Sequence, residues 1–585
     1  MKTTKSMMIL LLIFLGCSSD NGKNNEDRTS VNQNASVSDW SNKPVPKDVI
    51  QSTRAFRERL LADPYRPAYH FLVPEDVGRP GDPNGAFYYN GRYHLMYLYK
   101  REGSGFSWGH VSSTDLLHWR HHPDAIGPGN GDHGVFSGGA FVDMDGKALI
   151  TYWEFMDKET RDKHANKAYE GRPFGIGIAE STDEHFETWT KFSANPVIPS
   201  TDWGITVTKD ENGQDLIYGS ADPSQIWMKN GRYYMLTGNL LVLRKYGLGP
   251  KHLSESMVSN KPEAFYRDCC SEEHQGDHLY LFVSDDLENW EYMHEFYESD
   301  RKWTEITEDN MCPSFLPLPS GPNGEPGDKH LLLFISHNMG CQYYIGIYKN
   351  DKFYPDDHGR MTWKDNAYFA PEALIDGQGR HIMWSWIFDD RPQELKDYYG
   401  WTGTYGLPRS LWLGEDGTLR MRPVRELANL RQEVLEKENF TIDADSEMKL
   451  DDFGKQLLEL EITIEPGQAQ QTGVLVNYSQ DGREKTALYY DATEKKLVID
   501  ATQSSVDMGR RDIEKGPFEL GKEEPLVLRV FVDKSIVEVF ANDRQAVARR
   551  VYPKLGGLGV KLFAKGGDVK VLSVKAWELM PSNPY

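Results

Sequence analysis

The sequence is poor in cysteine and in patterns that could hold a metal. It has five cysteines among 585 residues. Cys269 and Cys270 are adjacent, and adjacent cysteines rarely bridge each other without strain, so the cysteines give no disulfide framework. No group of Cys and His has the spacing of a metal site. We therefore expect no metal and no other cofactor.

Positive charge is also scarce. The chain has 66 Lys and Arg against 88 Asp and Glu, which gives a formal net charge of −22. Such a balance argues against nucleic acid, or any other anionic polymer, as a partner. The sequence also lacks a G-x-S-x-G elbow and a phosphate-binding loop, which are signatures of many serine hydrolases and nucleotide-binding proteins. A neutral substrate fits these absences best.

The apolar run near the N-terminus, Met7–Leu15, is too short to span a bilayer as a mature helix. It follows a basic start, so residues 1–17 are predicted to be an export signal. The ending Leu-Gly-Cys resembles a bacterial lipobox, which would make Cys17 the lipidated first residue of the mature protein. An ordinary cleaved signal peptide is the alternative.

Residues 18–50 begin with a stretch rich in Ser, Asn, Asp and Lys, which predicts a flexible tether. With the lipid on Cys17, the protein would be exported and anchored to the bacterial outer membrane, on the cell surface or on the periplasmic face. We expect it to meet the membrane only through this anchor.

The chain is rich in aromatic residues, glycine and proline. Phe, Trp and Tyr make up 12% of the residues, and there are 52 Gly and 31 Pro, a mixture that suits short strands and tight turns. One pattern occurs twice. DPNGAFYYNGRY begins at Asp82 and DPSQIWMKNGRY begins at Asp222, with Asp-Pro and Asn-Gly at identical spacing. Each copy predicts a strand, a tight turn and a second strand.

Three further segments have a similar layout, and they begin near Ser137, Cys312 and Ala370. Five such hairpin starts predict five four-stranded blades. We therefore predict an all-β fold in which a five-bladed β-propeller occupies residues 55–425. A β-sandwich with accidental similarity among its hairpins is the alternative.

A second repeat alternates with the first one. Three segments with a Ser/Asp-rich turn end at Trp119, Trp189 and Trp290. Each segment is predicted to fill the turn and outer strand of one blade, with the Trp anchoring it.

From about residue 440 the pattern changes to alternating two-sided strands such as LLELEITI and TGVLVNY, separated by polar turns. This pattern predicts a β-sandwich over residues 440–585. Residues 426–439 are predicted to link the two domains, with a short helical signal between Arg425 and Lys437.

Asp82 and Asp222 would meet at one mouth of the propeller, because the first strands of all blades begin there. A single Asp-Pro usually marks only a turn, in which the Asp caps its own backbone. Two or three carboxylates around a pocket with aromatic residues fit cleavage of a glycosidic bond, in which one carboxyl group donates a proton and another attacks or activates water.

The residues around Asp82 also resemble a known family. GDPNGAFYYNGRYHLMY is similar to the nucleophile motif W-M-N-D-P-N-G of glycoside hydrolase family 32, the β-fructosidases, which include invertases, inulinases and levanases. Further segments resemble successive motifs of that family in the right order: WGHVSSTDLLHW (108–119), FSGGA (136–140), ADPSQIW (221–227), CPSF (312–315), YFAPEAL (368–374), GLPRSLWL (406–413) and VFVDKSIVEVFAND (530–543).

This resemblance covers about residues 65–580. It implies a five-bladed propeller with a sandwich, and a retaining two-step mechanism. Asp82 matches the nucleophile that forms a fructosyl-enzyme ester. Asp222 matches the aspartate that holds the sugar hydroxyls and stabilises the transition state. Retention requires the nucleophile and acid carboxyls to lie about 5–5.5 Å apart.

The sequence departs from the family motifs at several positions. Arg79 and Gly81 replace Trp and Asn of the first motif, and Ala221 replaces the Arg of R-D-P. The family's acid is the Glu of an E-C-P triplet, and Met311 stands at that position. Met cannot transfer a proton, so either activity is lost or a neighbour substitutes.

Glu308 and Asp309 lie just upstream of Met311. Asp309 shares a face with Met311 if the segment is extended. Glu308 reaches further, and a bend before the strand could direct it inward. We favour Glu308 as the acid, with Asp309 as the alternative.

Other residues are candidates for binding the sugar. The predicted set is Asn84, Trp108, Phe136, Ser137 and Glu372. Packing within the blades is the alternative for Trp108, Phe136, Ser137 and for His110, and an ion pair with Arg409 is the alternative for Glu372.

Three more polar residues in the motifs are given structural interpretations. Asp533 and Glu538 match the family's sandwich signature and are expected to be surface or interface groups. Cys312 is expected to be a small buried residue.

The sequence thus supports a glycoside hydrolase that cleaves β-fructofuranosidic bonds of fructans or fructo-oligosaccharides, with an oligo- or polysaccharide as its partner. A propeller glycosidase for another furanoside is one alternative, because of the changes at Arg79, Gly81 and Ala221. A carbohydrate-binding protein that has lost catalysis is another, because of Met311.

Overall fold

The computed structural model describes residues 46–72, 81–100, 105–143, 146–155, 174–201, 204–240, 275–299 and 301–583. The predicted signal peptide, Cys17, Arg79 and the Cys269–Cys270 pair lie outside these residues. The described residues from Phe56 onward form one compact unit.

Two α-helices are present in the described ranges: α1 (Lys47–Ala62) and α2 (Gln393–Tyr399). Helix α1 begins inside the tether that was predicted for residues 18–50, so the last residues of that segment are helical. Its sequence has no Gly or Pro, and Asp48 in its first turn interacts favourably with the helix dipole. No described helix combines the length and the apolar character needed to cross a membrane.

Antiparallel strands dominate the rest, and the predicted all-β class is confirmed. Within the described residues, five successive sheets have four or five strands each. The first contains β1 (Pro83–Tyr89), β2 (Arg92–Lys100), β3 (Phe106–Ser113) and β4 (Arg120–Ile126), and the second contains β5 (Ala140–Val142), β6 (Ala148–Trp153), β7 (Gly175–Ser181), β8 (Thr190–Lys191) and β9 (Ile198–Pro199).

The remaining three sheets also follow one another along the chain. A short ribbon of β10 (Ile205–Lys209) and β11 (Asp215–Gly219) precedes the third sheet. The third contains β12 (Trp227–Lys229), β13 (Arg232–Thr237), β14 (Tyr280–Ser284) and β15 (Glu291–Glu295), the fourth β16 (Met311–Leu318), β17 (Lys329–Ser336), β18 (Gly340–Lys349) and β19 (Lys352–Arg360), and the fifth β20 (Tyr368–Ile375), β21 (His381–Ile387), β22 (Thr404–Tyr405), β23 (Arg409–Leu413) and β24 (Leu419–Pro423).

The repeated Asn-Gly pairs form the same turn in the first and third sheets. Asn90 and Gly91 have φ values of 47° and 79°, and Asn230 and Gly231 have values of 53° and 79°. Two successive positive φ angles define a type I′ turn, whose twist matches that of a two-stranded hairpin. A Cβ atom added to either glycine would meet nothing within 4 Å, so backbone conformation rather than space calls for glycine there.

The Trp-ending segments lie between the third and fourth strands of the first three sheets. Trp189 Nε1 donates to Phe186 O (2.8 Å), and Trp290 Nε1 donates to Leu287 O (2.8 Å). In both turns the bonded residue has a positive φ, 55° at Phe186 and 69° at Leu287. The Trp side chain thus closes the turn that leads into the outer strand.

Each sheet contacts the next one, and the fifth contacts the first. The contacts, in order around this series, are Gly85 N to Gly138 O (3.4 Å), Thr151 Oγ1 to Ser224 O (2.8 Å), Asn239 N to Asn310 O (2.8 Å), strand β16 against β20, and Ala86 N to Glu372 Oε1 (2.8 Å). This closed order brings the starts of the first strands of the sheets together.

Glycine allows the closest of these approaches. A Cβ atom on Gly139 would lie 2.3 Å from the backbone nitrogen of Gln225, and one on Gly138 would lie 2.0 Å from Thr151 O. Gly139 therefore lets the second and third sheets meet, and Gly138 lets the segment before β5 approach β6 within the second sheet.

The C-terminal part forms two six-stranded sheets around one apolar core that includes Leu460, Val474 and Leu562. In sheet order, the first has β25 (Arg431–Ile442), β36 (Val569–Leu579), β27 (Leu457–Glu465), β32 (Leu526–Asp533), β33 (Ile536–Ala541) and β34 (Gln545–Arg550), and the second β26 (Ser446–Lys449), β35 (Gly559–Lys565), β28 (Gln471–Tyr478), β29 (Thr486–Asp491), β30 (Lys496–Asp500) and β31 (Ile513–Pro517).

The predicted linker over residues 426–439 is mostly strand, which corrects the sequence interpretation. A 3₁₀-helix occupies only Arg425–Leu430, and β25 then pairs with β36 along its length. The Glu- and Lys-rich composition of this stretch favours a helix locally, but ladder pairing overrides that preference. Charged residues also suit an edge strand such as β25.

Asp533 and Glu538 join the sandwich to the other sheets and are fully buried. Asp533 accepts hydrogen bonds from the backbone N–H of residues 68–70 (2.7–2.9 Å). His70 lies between the two carboxylates, with Nδ1 3.0 Å from Asp533 and Nε2 3.2 Å from Glu538. Glu538 also pairs with Arg409 at 3.1 Å, so these two residues are interface groups.

Candidate active site

Asp82 directly precedes β1 at the mouth where the first strands begin. Ser137, which precedes β5, donates its hydroxyl to Asp82 Oδ2 at 2.5 Å. Asp82 remains partly exposed, whereas Ser137 is 2% exposed. The hydroxyl therefore fixes the orientation of the Asp82 carboxylate.

Asp222 lies at the corresponding position before β12 and is 7% exposed. Its φ of 26° lies outside the usual regions for L-residues, and such backbone strain persists where the surroundings enforce it. Cys312 Sγ is 3.5 Å from Asp222 Oδ2 and 3.7 Å from Asp82 Oδ2. A single sulfur atom therefore contacts both carboxylates, and the two predicted aspartates share one pocket.

Irregular strand starts surround this pocket. The ladders of β1, β16 and β20 each contain a register shift in their first residues, and Cys312 and Ala370 have positive φ values of 50° and 47°. A bulge turns a side chain away from its regular direction, and bulges commonly lie next to active sites. Here they place Cys312 between the two carboxylates.

The two carboxylates influence each other's ionisation. Burial, and then the negative charge of Asp82, raises the pKa of Asp222 to about 8, against the opposing effect of Cys312 and His337. Burial also raises the pKa of Asp82, although Ser137, His337 and Cys312 act in the opposite direction. The two carboxyls are therefore coupled in their ionisation, and the raised pKa of Asp222 favours its protonated form.

Oδ1 of Asp222 is buried and has no hydrogen-bond partner among the described residues. A buried carboxyl oxygen without a donor is costly. The pocket therefore offers an acceptor that a hydroxyl-bearing ligand can satisfy.

A histidine–aspartate pair lies at the same mouth in the fourth sheet. Asp309 is fully buried and accepts from His337 N (2.8 Å), and its second oxygen is 2.5 Å from His337 Nδ1. Burial lowers the pKa of His337, but the negative charges of Asp309, Asp222 and Asp82 outweigh it, so that the pKa is raised. The ring also contacts Phe369 edge-on at 5.7 Å.

The contacts of Glu308 do not suit the role of general acid that was predicted for it. Arg360 binds its carboxylate through two bonds of 2.8 Å, and Gln342 and the backbone N–H of Glu305 bind it as well, both at 3.0 Å. Burial opposes ionisation, yet the bonds from Arg360 hold the pKa of Glu308 below its usual value. A general acid needs a raised pKa, so these contacts argue against Glu308.

Met311 does not supply a replacement. It is 1% exposed, and its sulfur lies only 2.9 Å from the position that a Cβ atom on Gly238 would take. It belongs to the apolar core between sheets. In the family's E-C-P triplet this position holds the acid. Here its side chain packs as an ordinary core residue.

Several residues predicted to bind the sugar are occupied by packing. Trp108 is fully buried and donates Nε1 to Phe136 O at 3.0 Å. Phe136 is 6% exposed and packs against the ring of Trp153 at 5.0 Å. Both polar atoms of Asn84 bind backbone, one at Asp82 O (3.0 Å) and the other at Gly138 N (3.2 Å). These contacts support the packing alternative for Trp108 and a bridging role for Asn84.

Glu372 and His110 are also buried. Glu372 accepts from Ala86 N, and burial raises its pKa well above the usual value. The predicted alternative partner, Arg409, pairs with Glu538 instead. His110 is 1% exposed, and its Nε2 lies 2.9 Å from His94 Nδ1, which supports the packing alternative for it.

His337 is the pocket residue that sequence reasoning missed. The available signal was its position. His337 follows the second strand of the fourth sheet, whose first strand begins at Met311, so both lie at one end of that sheet. In the part of the chain that the structure describes, no group of three or more His, Cys, Asp and Glu is arranged to hold a metal ion.

Two models of known protein families together match nearly the whole described chain. The model of the glycosyl hydrolases family 32 N-terminal domain matches residues 75–246 and 257–423. The model of the family 32 C-terminal domain matches residues 426–578. The two matches correspond to the five sheets and to the sandwich.

Curated relatives are similar over most of their length. A levanase of Bacillus subtilis (strain 168) is 27% identical over 88% of this chain and 72% of its own. An insoluble β-fructofuranosidase isoenzyme of Arabidopsis thaliana is 26% identical over 89% of this chain and 93% of its own. A sucrose-6-phosphate hydrolase of Zymomonas mobilis is 26% identical over 92% and 98%.

Solved structures share the fold. Fructan 1-exohydrolase IIa of Cichorium intybus superposes with a TM-score of 0.69 at 20% identity, over 89% of this chain and 98% of that one. Exo-inulinase of Aspergillus awamori gives a TM-score of 0.68 at 19% identity, over 89% and 99%. With both domain models matched in order, the chain belongs to glycosyl hydrolase family 32 and is a glycoside hydrolase.

Proposed function

We propose that this protein hydrolyses β-fructofuranosidic bonds with retention of configuration, and that Asp82 is the nucleophile. The observation that carries this proposal is the meeting of Asp82 and Asp222 around Cys312 Sγ. Two carboxylates at one site, one of them oriented by Ser137, match the arrangement that a double displacement requires.

In the proposed first step, a carboxylate oxygen of Asp82 attacks the anomeric carbon and the glycosidic C–O bond breaks. In the second step, water attacks the same carbon and releases Asp82. Asp222 accepts a hydrogen bond from a sugar hydroxyl through Oδ1, which has no partner among the described residues. That bond fixes the ring while positive charge develops on it.

The proposed substrates are neutral fructans, fructo-oligosaccharides or sucrose-like β-fructosides. The relatives named above support fructosides as a class. The formal net charge of −22 favours a neutral sugar over a phosphorylated one.

For the architecture, we propose that the five sheets are the five blades of a β-propeller. Their four-stranded order and the closed series of contacts from the first sheet to the fifth and back support this arrangement. It explains why repeats separated by 140 residues present their aspartates to one pocket, since Asp82 and Asp222 start equivalent strands.

The test of function is a substrate panel. We expect the purified protein to release fructose from sucrose, inulin or levan, and to transfer fructose to added methanol as the β-anomer, because retention conserves the configuration. Fructose release and the methyl fructoside are measured by chromatography and proton NMR. If the protein releases fructose from no member of the panel, the proposal is refuted.

A second substrate class is favoured by one observation. Ala221, which replaces an Arg in the resembling motif, is fully buried beside Asp222, so the sugar-binding floor differs from that motif. Arabinan therefore belongs in the panel. Release of arabinose but not of fructose would indicate that the substrate is another furanoside.

We also propose export and lipid anchoring at Cys17, on the basis of the Leu-Gly-Cys sequence. In a bacterial host fed a palmitate analogue, we expect the wild-type chain to carry the label and to sediment with membranes. Cys17→Ser should lose the label and remain as precursor. An unlabelled wild-type protein cleaved at another residue would identify an ordinary signal peptide.

A further inference from the structure

The proposed hydrolysis needs a group that protonates the leaving oxygen, and the two expected positions do not supply one. Met311 is packed in the core, and the Glu308 carboxylate is bound on both oxygens by the Arg360 guanidinium. Another titratable group at the same mouth must therefore supply the proton.

We propose that His337 is the general acid and base of this enzyme, positioned by Asp309; this inference rests on the proposed function. His337 follows β17, and Asp309 precedes the neighbouring β16. Met311 pairs with Ile335 in this ladder, so the antiparallel register places His337 opposite Asp309, at the end of the sheet where the strand that carries Cys312 begins. Cys312 in turn contacts both carboxylates of the pocket.

Nδ1 of the His337 ring is held by Asp309, and Nε2 is available to a substrate. Asp309 binds both its backbone N–H and Nδ1, and Asn366 donates to its carbonyl oxygen at 2.8 Å. Nε2 has no hydrogen-bond partner among the described residues, and the side chain is 11% exposed. A carboxylate on Nδ1 sets the tautomer and orientation that present Nε2–H to a substrate.

The charged and titratable groups around the ring all favour its protonated form. They are Asp309 from the segment before β16, Asp222 from the start of the third sheet and Asp82 from the start of the first. Phe369, from the fifth sheet, contributes an uncharged ring face. The charges of these three aspartates raise the pKa of His337 and so favour the imidazolium, which has the proton that the first step consumes.

The proton balance closes over the two steps. As Asp82 attacks, the leaving oxygen takes the proton from Nε2 and His337 becomes neutral. In the second step, neutral His337 takes a proton from water while the water oxygen attacks the anomeric carbon. The ester bond breaks, which restores the Asp82 carboxylate and the imidazolium. Asp309 takes no part in the proton transfer and acts as a positioning residue.

His337→Gln tests this assignment with two substrates that differ in their leaving group. For sucrose we expect kcat/KM to fall about 10²–10⁴-fold, the usual contribution of general acid catalysis. For p-nitrophenyl β-fructofuranoside we expect a loss of less than about tenfold, because nitrophenolate leaves without a proton. The fructosyl-enzyme should then accumulate and be visible by mass spectrometry, and azide should accelerate its breakdown.

His118→Gln is the matched control. Asp115 accepts from His118 N at 2.8 Å and contacts His118 Nδ1 at 2.8 Å, which reproduces the contacts of the Asp309–His337 pair. His118 lies in an exposed turn of the first sheet, and its replacement should leave both activities unchanged. An equal loss for both substrates in His337→Gln, or no loss, would overturn the proposal.

Asp309→Asn provides a second readout if His337→Gln does not fold. Loss of the carboxylate lowers the pKa of His337, so the alkaline limb of kcat/KM for sucrose should move to lower pH. An unchanged limb would count against the proposal. Wild-type protein that releases no fructose would instead refute the proposed function, so the two failures remain distinguishable.

Discussion

Asp82→Asn is expected to reduce turnover of every β-fructoside by about 10⁴-fold or more, because removal of a nucleophile eliminates the covalent route. Asn has the same shape and can still accept the Ser137 hydroxyl, which Asp82 accepts at 2.5 Å. The thermal midpoint should therefore stay close to the wild-type value. Initial rates on sucrose and on p-nitrophenyl β-fructofuranoside, together with a thermal melt, give the measurement.

Two features separate this prediction from a general loss of activity. The loss should be equally severe for both leaving groups, since a nucleophile is required whatever group departs. Asp285→Asn is a control of the same chemistry, because Asp285 is exposed and pairs only with Arg232 among the described residues. Near-normal turnover of either substrate by Asp82→Asn would contradict the assignment of the nucleophile.

The pairing of Asp82 with Asp222 is the part of the site that sequence alone indicated. The Asn-Gly turns repeat at identical spacing because a type I′ turn requires positive φ at both residues, and few residue pairs allow it. A repeated turn fixes where each strand begins. Two aspartates at the same offset from that turn therefore occupy equivalent positions in the structure.

The same reasoning from sequence could not identify the proton donor. Glu308 and Asp309 are adjacent in sequence, and only tertiary contacts tell them apart. Glu308 meets Arg360 of β19, while Asp309 turns to His337 of the β17–β18 turn. Neither partner is near in sequence, so no local pattern identifies which carboxylate is neutralised and which one orients a histidine.

The linker prediction failed for a related reason. The segment that ends in β25 is rich in Glu and Lys, and its local preference is helical. Its partner, β36, lies more than 120 residues later, and the ladder between them decides the structure. Asp533 likewise reveals its role only through backbone groups at residues 68–70, far away in the chain.

Asp222→Asn is expected to lower kcat/KM by about 10²–10³-fold, similarly for sucrose and for p-nitrophenyl β-fructofuranoside. Asp222 is proposed to hold the sugar and not the leaving group, so the identity of the leaving group should not matter. That uniform loss contrasts with the selective loss expected for His337→Gln. A loss confined to sucrose would instead make Asp222, with its pKa of about 8, the proton donor.

The same variant should change the pH dependence of stability. Burial and the charge of Asp82 raise the pKa of Asp222 from 3.8 to about 8, so the folded protein binds a proton that the unfolded chain has released. Between those pKa values, stability therefore falls as pH rises, by at most about 1.4 kcal/mol per pH unit for one group. Asn cannot ionise, so Asp222→Asn should gain stability relative to the wild type from pH 4 to 8, with the full difference above pH 8. Urea unfolding at several pH values measures this gain, and a stability difference that does not change with pH would show that Asp222 ionises normally in the folded pocket.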